Sequence, residues 1–250
     1  MITKKEILDA IHGKMIISCQ AVEDEPLYVE EKSIMYLMAR AAKQAGTPAI
    51  RTSSIRDVIA IKEETGLPVI GLVKIQYPGY EGYITPTMKE VDDLVAAGSD
   101  VVALDCTLRK RGDGITVNEF IAQIKEKYPD IILMADISNY EEGINAWKCG
   151  VDIVGTTMSG YTDYTSKKDE PDYELMERLA KDTDIPIIGE GKIHYPDQAV
   201  KALQTGVWAI VVGGAITRPL EIAQRFQKAL EADRKSTRLN SSHHDISYAV

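Results

Sequence analysis

Eight short runs of β-branched and other apolar residues, each followed by an amphipathic segment, set the tightest limit on what this chain can fold into. The runs fall at residues 15–20, 49–51, 69–74, 101–105, 131–136, 153–156, 187–190 and 209–212. The segments at 33–45, 55–64, 89–97, 117–127, 140–148, 173–182, 196–203 and 219–229 carry the three-to-four spacing of helices buried on one face. Strands that are apolar on nearly every residue are covered on both faces and belong to parallel sheets. Eight of them with covering helices and no linker predict a (β/α)8 barrel, a single domain over residues 1–232. A doubly wound open sheet is the alternative, but it wants fewer strands and a Gly-x-Gly-x-x-Gly loop after the first, which is lacking here. The pairs Ala45-Gly46, Ala97-Gly98 and Cys149-Gly150 predict helix ends just before the next strand. Thr3 followed by Glu6 predicts a capping box opening a short helix over 4–11, ahead of strand one.

Residues 233–250 (DRKSTRLNSSHHDISYAV) break this pattern. The apolar periodicity stops, and Asn240-Ser241-Ser242-His243-His244 is expected to form neither strand nor helix. The segment resembles a translated frame of a sequencing adapter, so it is expected to be a non-native, disordered tail that does not pack, with the native chain ending near Ala232. Without it, 26 basic residues face 36 acidic ones, and His12 and His194 are the histidines that remain. The negative balance argues against nucleic acid as a partner. The apolar runs are too short to span a bilayer, and no secretory leader pattern opens the chain. Three cysteines, Cys19, Cys106 and Cys149, suit a reducing cytoplasm better than a disulfide framework.

The predicted strands end on polar residues: Gln20, Arg51, Lys74, Asp105, Asp136, Thr156 and Glu190, with Gly213-Gly214 after the eighth. In a barrel these C-terminal ends converge on one mouth, where active sites of the fold lie. One polar strand end is uninformative, but seven, with two cations and three carboxylates among them, point to a shared site. Units seven and eight carry Gly189-Glu190-Gly191-Lys192 and Gly213-Gly214, with Arg218 opening the last helix. Glycines allow backbone N–H groups to approach a phosphate, and a helix N-terminus adds a favourable dipole. Gly191, Lys192, Gly213 and Gly214 are therefore candidate phosphate-binding residues, rather than turn formers only.

Taken in order, Ile17-Ser18-Cys19-Gln20-Ala21, Ile50-Arg51, Gly71-Leu72-Val73-Lys74, Tyr83-Ile84-Thr85-Pro86-Thr87, Leu104-Asp105-Cys106-Thr107, Met134-Ala135-Asp136-Ile137-Ser138, Gly160-Tyr161-Thr162, Glu190-Gly191-Lys192 and the stretch from Val212 to Pro219 resemble the N-acylglucosamine-6-phosphate 2-epimerase family. The glycine loops are common to many phosphosugar barrels. The Ser-Cys-Gln start, the lysine ending strand three and the Tyr-Ile-Thr-Pro-Thr loop are more specific. The resemblance implies interconversion of N-acetylmannosamine 6-phosphate and N-acetylglucosamine 6-phosphate, in sialic acid and amino sugar catabolism, by a homodimer. It implies that Lys74 and Glu190 are catalytic, and that Gln20, Arg51, Asp136 and Arg218 bind substrate. Gln76, where the family would be expected to carry a charge, departs from the pattern outside its core motifs.

Inverting C2 of an amino sugar removes a proton α to the C1 aldehyde of the open chain and returns one to the opposite face. That needs a base near neutral pKa and donors for the developing oxyanion. Lys74 suits the first role if burial and a neighbouring cation, such as Arg51, depress its pKa. Glu190 could protonate the other face or hold a hydroxyl. Asp105 is expected to support the site from behind and Gln20 to donate a hydrogen bond to substrate, while Asp136 and Glu190 could equally neutralise Lys74 and Arg51. The cysteines are expected to fill space, because no histidine stands at a strand end to activate a thiolate. For the same reason neither a metal nor any other cofactor is expected, against a metal-dependent pentose-phosphate 3-epimerase. A Schiff-base aldolase would also use a strand-end lysine, and a non-catalytic phosphosugar-binding regulator would share the phosphate loops.

Overall fold

A computed structural model of the chain describes residues 2–167 and 169–244, with side chains through residue 234. It shows a closed barrel of eight parallel strands in sequence order, β1-β2-β3-β4-β5-β6-β7-β8, with β8 returning to β1. The strands are β1 (Met15–Ser18), β2 (Ile50–Ser53), β3 (Val69–Leu72), β4 (Val101–Asp105), β5 (Ile132–Asp136), β6 (Ile153–Gly155), β7 (Ile187–Glu190) and β8 (Ala209–Val212). Helix α1 (Lys4–Ile11) precedes them, and α2 (Met35–Gln44), α3 (Ile55–Thr65), α4 (Met88–Ala96), α5 (Val117–Lys127), α6 (Tyr140–Lys148), α7 (Tyr173–Asp182), α8 (Pro196–Gln204) and α9 (Pro219–His244) follow the strands in turn.

Alternation along each strand builds two cores. Ile16, Ile70, Leu72, Val101, Ala103, Ile132, Met134, Ile153, Ile188, Ala209 and Val211 pack together inside the barrel. Their neighbours Ile17, Val102, Leu104, Leu133, Ala135, Val154 and Ile210 face the helices. Ile7 and Ile11 of α1 join the inner core, so this helix seals the N-terminal end of the barrel. Its capping box forms as the sequence predicts, with Thr3 and Glu6 each satisfying the other's backbone.

Two expectations change. The last helix does not stop near residue 229 but continues through His244, so Asn240 to His244 is helical. A helix already nucleated by its first turns extends at little further cost, and the Asp-Arg-Lys stretch beyond Ala232 offers no breaker. Residues 245–250 of the expected tail lie outside the described residues. The second change concerns strand ends: the β1 and β3 ladders close at Ser18 and Leu72, two residues before Gln20 and Lys74, while β2 runs on to Ser53, so Arg51 lies within the strand and not at its end.

Candidate active site

The two-residue period that fills the inner core places the site. Continued past the strand ends, it runs from Ile16 to Ser18 and Gln20, from Leu72 to Lys74, from Met134 to Asp136, and from Ile188 to Glu190. In the sixth unit it reaches Thr157, not Thr156, which the sequence suggested as the inward end. Thr156 instead clamps the main chain of Glu190. Its Oγ1 donates to the Glu190 carbonyl at 2.9 Å and accepts from the Glu190 N–H at 3.0 Å.

Lys74 is held by the Tyr83–Thr85 loop rather than by the barrel ladder. Lys74 and Ile84 form an antiparallel bridge. Ile75 N–H donates to the Tyr83 carbonyl at 2.9 Å, and Thr85 N–H to the Val73 carbonyl at 2.7 Å. Thr85 is fully buried with φ +46°, and its hydroxyl donates to the Ala103 carbonyl at 2.6 Å. A β-branched residue in the left-handed region is costly and persists only where its surroundings impose it. The Tyr-Ile-Thr-Pro-Thr motif is thus the clamp that fixes the lysine.

These elements enclose a cavity of about 210 Å³ at the C-terminal mouth. Ser18, Gln20, Arg51, Lys74, Glu190 and Arg218 line it, together with Gly191, Lys192, Gly213 and Gly214. A wider groove past Tyr28 and Gln76 adjoins it and shares Lys74 and Tyr83. Asp136 is the one expected substrate-binding residue that is not on the cavity wall. It is fully buried and accepts from Arg51 Nη2 at 2.6 Å and from the Thr157 hydroxyl at 2.6 Å. Arg51 also faces the Glu190 carboxylate, Nε to Oε2 at 3.4 Å, so one guanidinium is shared between two acids. Asp105 stands outside the cavity too, paired with Arg109 at 2.6 Å and with the Thr107 hydroxyl at 2.5 Å.

Electrostatics tune two groups towards neutral pH. Burial lowers the Lys74 pKa, and the nearby Arg218 and Arg51 cations lower it further, against Glu190 and Glu25. Arg51 is thus a depressing cation, as the sequence suggests, but Arg218 is the stronger one. Burial raises the Glu190 pKa, opposed by Arg51 and reinforced by Asp136. Lys74 makes no ion pair or side-chain hydrogen bond among the described residues, which leaves its amine available for proton transfer. The carbonyl oxygen of Gln20, 5% exposed, also lacks a partner, while its amide donates to the Ser18 hydroxyl at 2.8 Å. Burial pushes the Cys19 thiol up to about 12 and Cys106 well above its ordinary value, which suits space-filling thiols and not nucleophiles.

The far end of the cavity is cationic. Gly191, at φ +110°, makes the turn after β7 that brings Lys192 to the wall. Lys192 lies over the Tyr161 ring at 5.0 Å. His194, Arg218 and Glu221 complete this end. Arg218 is held between Glu25 at 2.7 Å and Glu221 at 2.9 Å. The sequence does not single out Glu25, Glu221 and Thr157, and it marks His194 only as a histidine away from the strand ends, whereas the structure puts it on the cavity wall. The available signal was the inward period for Thr157 and the first-turn position in α9 for Glu221. Among the described residues, no group of three or more His, Cys, Asp or Glu is arranged to hold a metal ion.

A closed (β/α)8 barrel with a polar cavity lined by charged side chains at its C-terminal mouth defines an enzyme of the barrel class. The chain belongs to the N-acetylmannosamine-6-phosphate epimerase family: residues 35–232 match the family model described as "NanE: Putative N-acetylmannosamine-6-phosphate epimerase". It is 52% identical over 231 residues to a protein of Caldanaerobacter subterraneus subsp. tengcongensis, covering 92% of this chain and 97% of that one. A Clostridioides difficile protein is 49% identical over 225 residues, covering 90% and 99%. Both bear the name "Putative N-acetylmannosamine-6-phosphate 2-epimerase". The solved structure of the N-acetylmannosamine-6-phosphate 2-epimerase from Clostridium perfringens superposes with a TM-score of 0.86 at 47% identity, covering 92% of this chain and 98% of that one.

Proposed function

We propose that this enzyme interconverts N-acetylmannosamine 6-phosphate and N-acetylglucosamine 6-phosphate, a step of sialic acid and amino sugar catabolism. The observation that carries the proposal is the pairing, in one cavity, of a lysine with lowered pKa and a glutamate with raised pKa. The open-chain sugar presents C2 between Lys74 and Glu190. One removes the C2 proton, and the other returns a proton from the opposite face. The two exchange roles in the reverse direction. Charge that builds on O1 as the enolate forms is met by Arg51, a guanidinium held rigid by Asp136 and therefore needing little reorganisation. Gln20 offers its unpartnered carbonyl oxygen to a hydroxyl or amide of the substrate. The 6-phosphate lies at the cationic end, on Lys192, Arg218 and the turns at Gly191 and Gly213-Gly214.

Residues 1–232 form the enzyme, and 233–250 are an appendage to it. The proposal includes a homodimer, supported by the exposure of Leu220, Phe226 and Leu230 on α9. It includes a reducing cytoplasm, supported by three unpaired cysteines. No helix among the described residues is long and apolar enough to cross a membrane. The test is proton NMR of N-acetylmannosamine 6-phosphate with the enzyme in heavy water. Appearance of N-acetylglucosamine 6-phosphate with deuterium at C2 supports the reading. Absence of C2 exchange overturns it. Borohydride trapping of a sugar–lysine adduct would point instead to a Schiff-base enzyme.

A further inference from the structure

Glu221 lies in the first turn of α9, three residues past Arg218. Its Oε1 accepts from Arg218 Nη1 at 2.9 Å, and its Oε2 is 3.9 Å from Arg225 Nη1. The same oxygen packs against Gly214, in space that a Cβ at that position would fill. Arg225 also reaches the Gly214 carbonyl, 3.3 Å from Nη2, and His194 Nδ1, 3.2 Å from Nη1. A carboxylate therefore sits among cations and against a bare glycine turn, on the wall of the cavity end assigned to phosphate.

We propose that Glu221 is an internal stand-in for the substrate phosphate, a displaceable counter-ion competing with it for Arg218, Arg225 and the Gly213-Gly214 turn. The inference rests on the phosphate placement above and adds to it a residue that sets affinity. Displacement is open to this side chain because it is 38% exposed, so rotation returns its charge to water. Arg218 keeps its aim meanwhile, because Glu25 holds its Nε from the β1–α2 loop at 2.7 Å. A phosphate approaching two negative charges, with three free oxygens, outcompetes one carboxylate for the same donors. When product leaves, the carboxylate returns and keeps the cationic cluster from retaining anions.

The test compares Glu221→Gln and Glu221→Ala with the parent protein at fixed ionic strength. Inorganic phosphate serves as the probe, by calorimetry and as a competitive inhibitor. The expected result is that phosphate binds about three- to tenfold more tightly to both variants, the scale of a partly exposed ion pair and its repulsive counterpart, with KM for the phosphosugar falling in step. Circular dichroism establishes that both variants are folded. Unchanged or weakened phosphate binding in the folded variants overturns the proposal and leaves the phosphate placement standing. Phosphate binding undetectable in all three proteins overturns both together.

Discussion

Arg51 on β2 and Asp136 on β5 form an ion pair at 2.6 Å inside the barrel, with side chains 1% and 0% exposed. Charges so far from water are tolerable only while neutralised, Asp136 by Arg51 and Arg51 by Asp136 together with Glu190, and removing one partner of such a pair destabilises by roughly 3–5 kcal/mol. Asp136→Asn keeps the shape and removes the charge. It is expected to lower unfolding free energy by about 3 kcal/mol in urea and to reduce turnover by loosening Arg51. The double variant Arg51→Met with Asp136→Leu is expected to be more stable than Asp136→Asn, though inactive. If the single variant matches the parent in stability, the pair is not what holds Arg51.

The same pair shows how far sequence carries. The polar residues Asp136 and Arg51 are legible as closing two apolar runs, and so is their convergence on one mouth, although β2 runs on past Arg51 to Ser53. That Asp136 stands behind Arg51, not on the wall, depends on barrel curvature and side-chain length, which linear spacing does not encode. Lys74 is a similar case. Its inward direction follows from the period of β3, but its anchoring depends on hydrogen bonds to a loop some ten residues further along the chain. Glu25 and Glu221 look in the sequence like ordinary surface acids. They matter because α9 and the β1–α2 loop meet at Arg218, a contact between the two ends of the chain.

The two tuned groups predict a pH profile. Inversion by a donor and an acceptor needs one proton shared between Lys74 and Glu190. The charged pair and the neutral pair are tautomers with the same proton count, so both assignments give one profile. Activity falls in acid as Glu190 takes a second proton, and in alkali as Lys74 loses the last. Burial raises the first above 4.5, and burial with Arg218 lowers the second below 10.5. A bell in kcat/KM narrower than those limits is expected. Substrate phosphate titrates at about pH 6, so its own limb is fixed by phosphorus NMR titration of the free sugar and the remaining acid limb belongs to Glu190. An alkaline limb at or above 10.5 would contradict the environment assigned to Lys74.

Chelators are expected to leave the rate unchanged. The cavity wall pairs its carboxylates with guanidiniums, and no described cluster has the donor set of a metal site. Turnover that EDTA abolishes and a divalent cation restores would refute this and would move the proton chemistry away from Lys74.

Lys74→Ala and Arg218→Ala are expected to fail in different ways. Lys74 lines the cavity two residues past the end of β3, where the proposed mechanism puts proton transfer at C2. Loss of an acid–base group lowers turnover by a factor on the order of 10² to 10⁴. Binding should change little, because the amine serves the transition state more than the ground state. Arg218 stands at the cationic end, where the proposal puts the phosphate, and also depresses Lys74 through its charge. Its loss should mainly raise KM, as weakened ground-state binding does. It should also displace the alkaline limb of the pH profile upward, because a cation that destabilised the lysine ammonium is gone. That second effect separates Arg218 from Lys192, which lines the same end but is not among the leading charges that shift Lys74. Kinetics on the phosphosugar across pH, with C2 deuterium exchange for each variant, distinguish the outcomes. Near-parental exchange in Lys74→Ala removes the lysine from the chemistry. A lower kcat at unchanged KM in Arg218→Ala moves the phosphate elsewhere.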